Sequence, residues 1–266
     1  MKKIPHDYYL KFLDPSVFDE VSVFHSKTNF IIHDSVSHMA CLHRLTEDTL
    51  ANLTGNELAL YPDMLSSDAT SIKRLEDSHP LYRNSSCDFF SKSSITLQQL
   101  NSLVSPLLSK NENSHKRGYP SGGALYPIEV FCCNLSVNNW KNAENILHLM
   151  PQSSCFEAVK GNVDIPLLKK SLLPSGNTIG TPAVALIYIS YMPKTLFKYR
   201  YRGYRLAHLE TGSMYMLMDL HGKALKLQSR VWSGYCDNMV CKSLGLNPTL
   251  FYPLCVQFFG ESNVCS

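Results

Sequence analysis

Apolar residues recur along this chain with two periods, and each change of period marks an element. In "SSITLQQLNSLVSPLLS", Leu97, Leu100, Leu103, Val104 and Leu107 return every three or four positions, as one face of a helix does. Thr96 with Gln99 three residues on has the form of a capping box, and Pro106 predicts an end or a kink. "IEVFCCNL" (Ile128 to Leu135) is instead a continuous β-branched and aromatic run, the pattern of a buried strand. "TPAVALIYISYM" predicts a second buried strand, entered through Pro182, and "ENILHLM" fits a strand or a short helix. Leu206, Leu209, Ser213, Leu217, Leu220, Ala224 and Leu227 then step by three and four through a long amphipathic helix. Gly212 inside it costs roughly 1 kcal/mol relative to alanine, which implies close approach by another helix, a partner subunit or a ligand. "DNMVCKSLGL" predicts a short helix capped by Asp237 and stopped by Gly245, and "FYPLCVQFFGE" a closing strand.

The first 75 residues are less patterned. "TEDTLANL" reads as a short helix with Thr46 at its N-cap, and no chemistry attaches to the region. Residues 1–75 are expected to form an N-terminal elaboration or docking subdomain, and 76–266 the principal domain. Helices and strands alternate, with short strands and hairpin-sized loops, so the fold class is α+β around a mostly antiparallel or mixed central sheet.

Composition narrows the function. The 266 residues are 44% hydrophobic and 18% charged, with a net charge of +3, so any basic function is local rather than that of a general polyanion binder. The longest apolar run, "AVALIYISYM", is too short to cross a membrane. The start, "MKKIPHDYYLKFLD", has no apolar stretch behind its lysines, so a secretory signal is not expected. Nine cysteines without a C-x-x-C pair predict reduced, mostly buried thiols in a cytoplasmic protein and no zinc site. His33, His38 and His43, spaced by five, share no helical face, so no metal site is expected there either.

Three stretches carry candidate chemistry. In "GYPSGGALYP" (Gly118 to Pro127) two glycines allow close backbone approach to a flat or anionic ligand, and successive N–H groups can form an anion nest. It is neither a Walker loop nor a nucleophile elbow. "FKYRYRGYRLAHLETGSMY" (Phe197 to Tyr215) puts Lys198, Arg200, Arg202 and Arg205 among Tyr199, Tyr201 and Tyr204. The plain reading is a solvated basic strand end. A nucleic-acid surface would use the same alternation, but the rest of the chain lacks a basic face, so no nucleic acid is expected. A catalytic reading uses proximity: clustered cations disfavour an ammonium and favour a phenolate, making Lys198 and Tyr199 candidate bases. In "YRNSSCDFF", Arg83, Ser85 and Ser86 suit a phosphate.

The order "RNSSCDFF…SSITLQQL", "PSGGALYPIEVF", "FKYRYRGYRLAHLETGSMY", "RVWSGYCD", "PLCVQFFG" resembles the SagB/McbC-type dehydrogenases of the nitroreductase superfamily, from about Arg83 to Gly260. The resemblance implies a homodimer of α+β subunits with FMN at the interface. It implies oxidation of thiazolines and oxazolines, which partner cyclodehydratase subunits make in a precursor peptide, to thiazoles and oxazoles. Pro120, Ser121, Gly122 and Gly123 would then lie against the flavin, Arg83 and Ser85 would hold the ribityl phosphate, and Lys198 and Tyr199 would be catalytic. Asn84 and Cys87 stand where the superfamily commonly has arginine, so further phosphate cations would come from among Arg117, Arg200, Arg202, Arg205 and Arg230. Two other functions remain open: a general NAD(P)H-dependent nitroreductase, and a non-catalytic scaffold of a peptide-modifying complex, against which the intact "PSGGALYP" and "KYRYRGYR" argue.

Overall fold

A computed structural model describes residues 3–31, 45–54, 71–111, 113–136, 140, 144–159, 165–174, 176 and 178–263. His33, His38, His43, Cys41 and Cys265 lie outside the described residues. The chain divides into two compact units, Met1–Phe30 with Pro80–Ser266, and Ile31–His79. Residues 1–30 therefore belong with the principal body. They contribute helix α1 (Pro15–Thr28) to it, begun by Asp14, whose carboxylate accepts from the Ser16 amide. In the smaller unit, α2 (Glu47–Thr54) starts where its sequence predicts, with Thr46 Oγ1 accepting from the Thr49 amide at 3.3 Å.

The principal unit is built on a six-stranded antiparallel sheet. Its strands are β3 (Ile128–Asn134), β4 (Ile146–Met150), β5 (Cys155–Ala158), β6 (Val184–Tyr191), β7 (Gln228–Trp232) and β8 (Phe251–Gly260), in the order β5-β4-β3-β6-β8-β7. The period-2 geometry of a strand divides its side chains between two layers. Val184, Leu186 and Tyr188 of β6 join Ile128 and Val130 of β3 on one face, under α1, α3 (Leu97–Val104) and α6 (Arg202–Ala224). Ala185, Ile187 and Ile189 join Phe131 and Cys133 on the other, under α4 (Ile165–Leu172) and α7 (Asp237–Ser243). With both faces covered, the central strands read as unbroken apolar runs. The remaining helix, α5 (Pro193–Tyr199), links β6 to α6.

Several expectations hold in detail. The Thr96–Gln99 capping box is present, and Pro106 ends α3 in a 3₁₀ turn. Others are corrected. Between α3 and β3, β1 (Ser109–Asn111) and β2 (Ser114–Arg117) form a pair that the sequence pattern does not announce. Their half- and fully exposed polar residues give no hydrophobic alternation to detect. β5 and α4 were not foreseen, being only one strand of four residues and two turns of helix. Asp237 is the first residue of α7 rather than its cap; its carboxylate instead accepts from the Phe30 amide at 3.1 Å, tying the end of the N-terminal segment to the body.

The largest correction concerns α6. Its buried face is Gly203, Ala207, Glu210, Thr211, Met214, Met218, Asp219 and Gly222, not the leucine stripe. Leu209 of that stripe is 70% exposed. The small residues let the helix lie close to its neighbours. A Cβ on Gly203 would stand 3.0 Å from the Thr195 backbone, and one on Gly222 would stand 2.7 Å from the Phe259 ring. Gly212, singled out from sequence, meets nothing nearer than Tyr215 at 3.9 Å among the described residues.

α1 is seated on this layer by His25, whose imidazole stacks on Tyr252 at 3.9 Å and lies 3.3 Å from Tyr204 Oη. Burial, helped by the charge of His208, lowers its pKa to about 4. Between the ordinary histidine value and that one, the unfolded chain binds a proton that the folded chain refuses, so stability falls as pH drops through this window. His25→Phe keeps the stacked ring and removes the titration. We expect its loss of unfolding free energy between about pH 7 and about pH 4.5 to be smaller than the wild type's by on the order of 2 kcal/mol. Urea denaturation at the two pH values measures the difference.

Candidate active site

The chain leaves β2 through Gly118, where a Cβ would meet the Pro106 carbonyl oxygen at 2.6 Å, and turns at residues 120–127 into β3. The turn is wound around Ser121. Its hydroxyl accepts from the Tyr126 amide at 2.8 Å and donates to Glu210 Oε2 of α6 at 2.5 Å. Tyr126 is buried beneath the turn, its hydroxyl accepting from the Arg117 amide at 3.0 Å, with the Arg117 guanidinium 4.4 Å over its ring. Gly123, Ala124 and Tyr126 all have positive φ, at 62°, 53° and 51°. Only the glycine adopts that region without strain.

Lys198 and Tyr199 do not lie on a strand end. They occupy the last turn of α5, after which Arg200, at φ 49°, reverses the chain into α6. The close seating of Gly203 on Thr195 holds the two helices together. The result brings the predicted pair onto the predicted loop: a Cβ on Gly123 would stand 2.6 Å from Tyr199 Oη and 2.7 Å from Lys198 Nζ. The ammonium lies 5.2 Å from the Tyr199 ring centroid. Leu206 covers Gly122 from above, with its Cδ1 3.0 Å from where a Cβ would be. Pro120, Ser121, Gly122, Gly123, Lys198 and Tyr199 are thus one cluster.

The arginines divide. Arg83 donates from Nε to the buried carboxylate of Asp219 at 2.5 Å and from Nη2 to Ser86 at 3.2 Å, with Ser85 exposed beside it. Ser229 also bonds to Asp219. Arg230, the next residue, donates to the Cys87 carbonyl at 2.8 Å and to Asp88 at 3.2 Å. Arg230, one residue on from Ser229, turns to the other face of the sheet beside Trp232, so without it Arg83 and Ser85 make a second neighbourhood. Its anchor on α6, Asp219, is nine residues from Glu210, or about 13 Å along the axis. Arg200 is committed to Asp14 at 2.9 Å. Arg202 and Arg205 are exposed on the first turn of α6, and neither forms an ion pair among the described residues. Two cations at the positive end of a 23-residue helix are electrostatically unfavourable until an anion joins them.

Sequence reasoning missed the acid at the centre. Glu210 is buried, and among the described residues its Oε1 has no close hydrogen-bond partner, with the Ile128 backbone facing the carboxylate from β3. Burial raises its pKa to about 7, against the opposing hydrogen bond from Ser121 and the charges of Arg117 and Lys194. Its signal was the helical register: Glu210 falls three and seven residues after Ala207 and Gly203, on the face that α6 buries. Lys194 was missed as well. Its ammonium donates to the Tyr126 carbonyl at 2.8 Å and lies 4.0 Å from Glu129, which takes a 3.0 Å hydrogen bond from His148. All seven described cysteines are free thiols, five of them buried. Among the described residues no His, Cys, Asp and Glu cluster suits a metal, and no helix is long and apolar enough to cross a membrane.

No protein-family model matches the chain. It is 35% identical over 258 residues to the microcin B17-processing protein McbC of Escherichia coli, a match spanning 95% of this chain and 93% of that protein. Its structure superposes on a chain of the E. coli microcin synthetase McbBCD complex with truncated pro-MccB17 bound, with a TM-score of 0.81 and 33% identity over 98% of this chain and 99% of that one. A nitroreductase from Ralstonia eutropha, at 13% identity, matches with a TM-score of 0.59 over 75% of this chain and 89% of its own, and shows the fold alone. The architecture is the nitroreductase fold, and the protein is an oxidoreductase of that class. Within that class the chain belongs to the McbC family of dehydrogenases.

The contact at Gly123 has a direct test. In Gly123→Ala the new methyl collides with flexible side-chain ends rather than backbone, so the fold is kept at a cost of about 1–2 kcal/mol from the left-handed residue. A crystal structure of the variant is expected to show Lys198 Nζ and Tyr199 Oη displaced from the turn while β3 and α6 stay in place.

Proposed function

We propose that this protein is the FMN-dependent dehydrogenase of a cytoplasmic peptide-modifying synthetase, oxidising thiazolines and oxazolines of a ribosomally made precursor peptide to thiazoles and oxazoles. The observation that carries this reading is the meeting of Lys198 and Tyr199 over Gly123 in a chain 35% identical to McbC. Aromatising an azoline removes two electrons and two protons. FMN, when bound, supplies the two-electron acceptor.

The residues present suit that cofactor. Gly122 and Gly123 carry no side chain, so a flat ring would meet the turn's backbone, beside Pro120 and Ser121, on the sides that Leu206, Lys198 and Tyr199 leave open. Arg83 and Ser85 would hold the phosphate, since Arg83 uses only part of its guanidinium on Asp219 and Ser86. Arg202 and Arg205, with the amino end of α6, would favour negative charge on the bound group. Lys198 Nζ as its free amine, or Tyr199 Oη as its phenolate, would accept the proton from a substrate carbon held near Gly123, since both tips converge there. The leucine face of α6, with Leu209 70% exposed and Gly212 free of close contacts, would receive a second copy of the chain. The likeness to the McbBCD complex supports cyclodehydratase subunits and a precursor peptide as partners.

The purified protein is expected to be yellow and to release FMN on denaturation, identified by mass. Lys198→Ala and Tyr199→Phe should keep the flavin and lose azoline oxidation by roughly 10²–10⁴-fold in at least one case. Wild-type rates in both variants would remove their catalytic role. Flavin bleaching by NADPH with no response to an azoline peptide would instead indicate a nitroreductase, and a colourless protein that still binds the cyclodehydratase a scaffold.

A further inference from the structure

Ser121 is the only side chain in the 120–123 turn that reaches into the body of the protein through a hydrogen bond, and it reaches Glu210. The same hydroxyl holds the Tyr126 amide, and the Ala124 amide bonds back to the Ser121 carbonyl at 3.0 Å. One hydroxyl therefore joins the left-handed turn to α6. We propose that Glu210 is a positioning residue which, through Ser121 and in its ionised form, holds the 121–126 turn against Lys198 and Tyr199.

The physical argument is the strength of one hydrogen bond. An O–H donated to a carboxylate is roughly twice as strong as one donated to a neutral carboxyl. Glu210 Oε2 takes that bond, while Oε1 is buried with no close partner among the described residues, so ionisation strengthens the clamp at the cost of an imperfectly solvated charge. The groups that face it from the surrounding elements are Arg117 of β2, Tyr119 and Ser121 of the turn, Lys194 of α5 and the Ile128 backbone of β3. The two cations oppose its burial, and the balance leaves its pKa at about 7. Both protonation states are then populated near neutrality, and the turn tightens as pH rises. A merely structural acid, ionised throughout, would give no such dependence.

The consequence for flavin binding rests on the function proposed above; the behaviour of the turn does not. Hydrogen exchange of the 121–126 amides, corrected for intrinsic rates, is expected to show protection rising roughly fivefold between about pH 6 and about pH 8, the difference between a neutral and a charge-assisted bond. Glu210→Gln, which keeps shape and an acceptor oxygen, and Ser121→Ala, which removes the link, should each abolish that rise. FMN titrated onto the same three proteins should bind the wild type about as many times more tightly at the higher pH and the variants with no pH trend. An unchanged inflection in Glu210→Gln, or flat protection in the wild type, overturns the proposal. Failure of the wild type to bind FMN at all would overturn the flavin reading instead, and the exchange data would still decide the role of Glu210.

Discussion

One missing methyl group organises this molecule's candidate chemistry. Because residue 123 has no Cβ and stands at φ 62°, the tips of Lys198 and Tyr199 can occupy the space directly above its Cα. Any other residue would push out the amine and the phenol. The rest of the site follows from keeping that contact: the turn has to be fixed from below, by Ser121 and Tyr126, and α5 has to be fixed from behind, by the seating of Gly203 on Thr195. Three glycines, at 122, 123 and 203, are thus required by closeness of approach rather than by flexibility.

α6 is the beam on which both neighbourhoods are mounted. A helix that packs with a leucine face stands off its sheet; one that packs with glycine, alanine and methionine lies close, and its polar residues then meet partners at hydrogen-bond range. Glu210 and Asp219 are the two acids on that inward face, and each recruits a functional segment: Ser121 and the turn at one level, Arg83 and Ser229 at the other. The buried Gln257 adds a third tie, accepting from Tyr188 at 2.8 Å and donating to the Tyr215 carbonyl at 3.1 Å. Polar links of this kind specify one register of helix on sheet, which apolar contact alone leaves less defined.

The legibility of the sequence followed burial. β3, β6 and β8, covered on both faces, appeared as apolar runs, and the capping box of α3 appeared as a local motif. The cluster of Pro120–Gly123 with Lys198 and Tyr199 was legible through family motifs, not through periodicity, since no local rule brings residue 123 to residue 199. What escaped was long-range or inverted. β1, β2 and β5 are short and half-exposed, so they carry no pattern. The face of α6 was misread because leucines were assumed to point inward, whereas closeness of packing selected the small residues. That misreading also hid Glu210, which is conspicuous only once Gly203, Ala207 and Met214 are seen as the core side.

Strain is distributed in the same way. Of the five described non-glycine residues with positive φ, Ala124, Tyr126 and Arg200 belong to the turn and to the α5–α6 junction, while Ser154 and Lys226 are exposed. Each such conformation costs of order 1–3 kcal/mol. Tyr126 bears it because its ring is buried, its hydroxyl is bonded to the Arg117 amide and its carbonyl takes the Lys194 ammonium. Arg200 bears it because its amide is bonded to the Leu196 carbonyl at 2.8 Å and its side chain to Asp14. Add the buried acid Glu210, and costly features gather around the part that holds Lys198 and Tyr199. The two-layered core of β3, β6 and β8 supplies the surplus, which is why a sheet buried on both faces accompanies a turn that could not hold its shape alone.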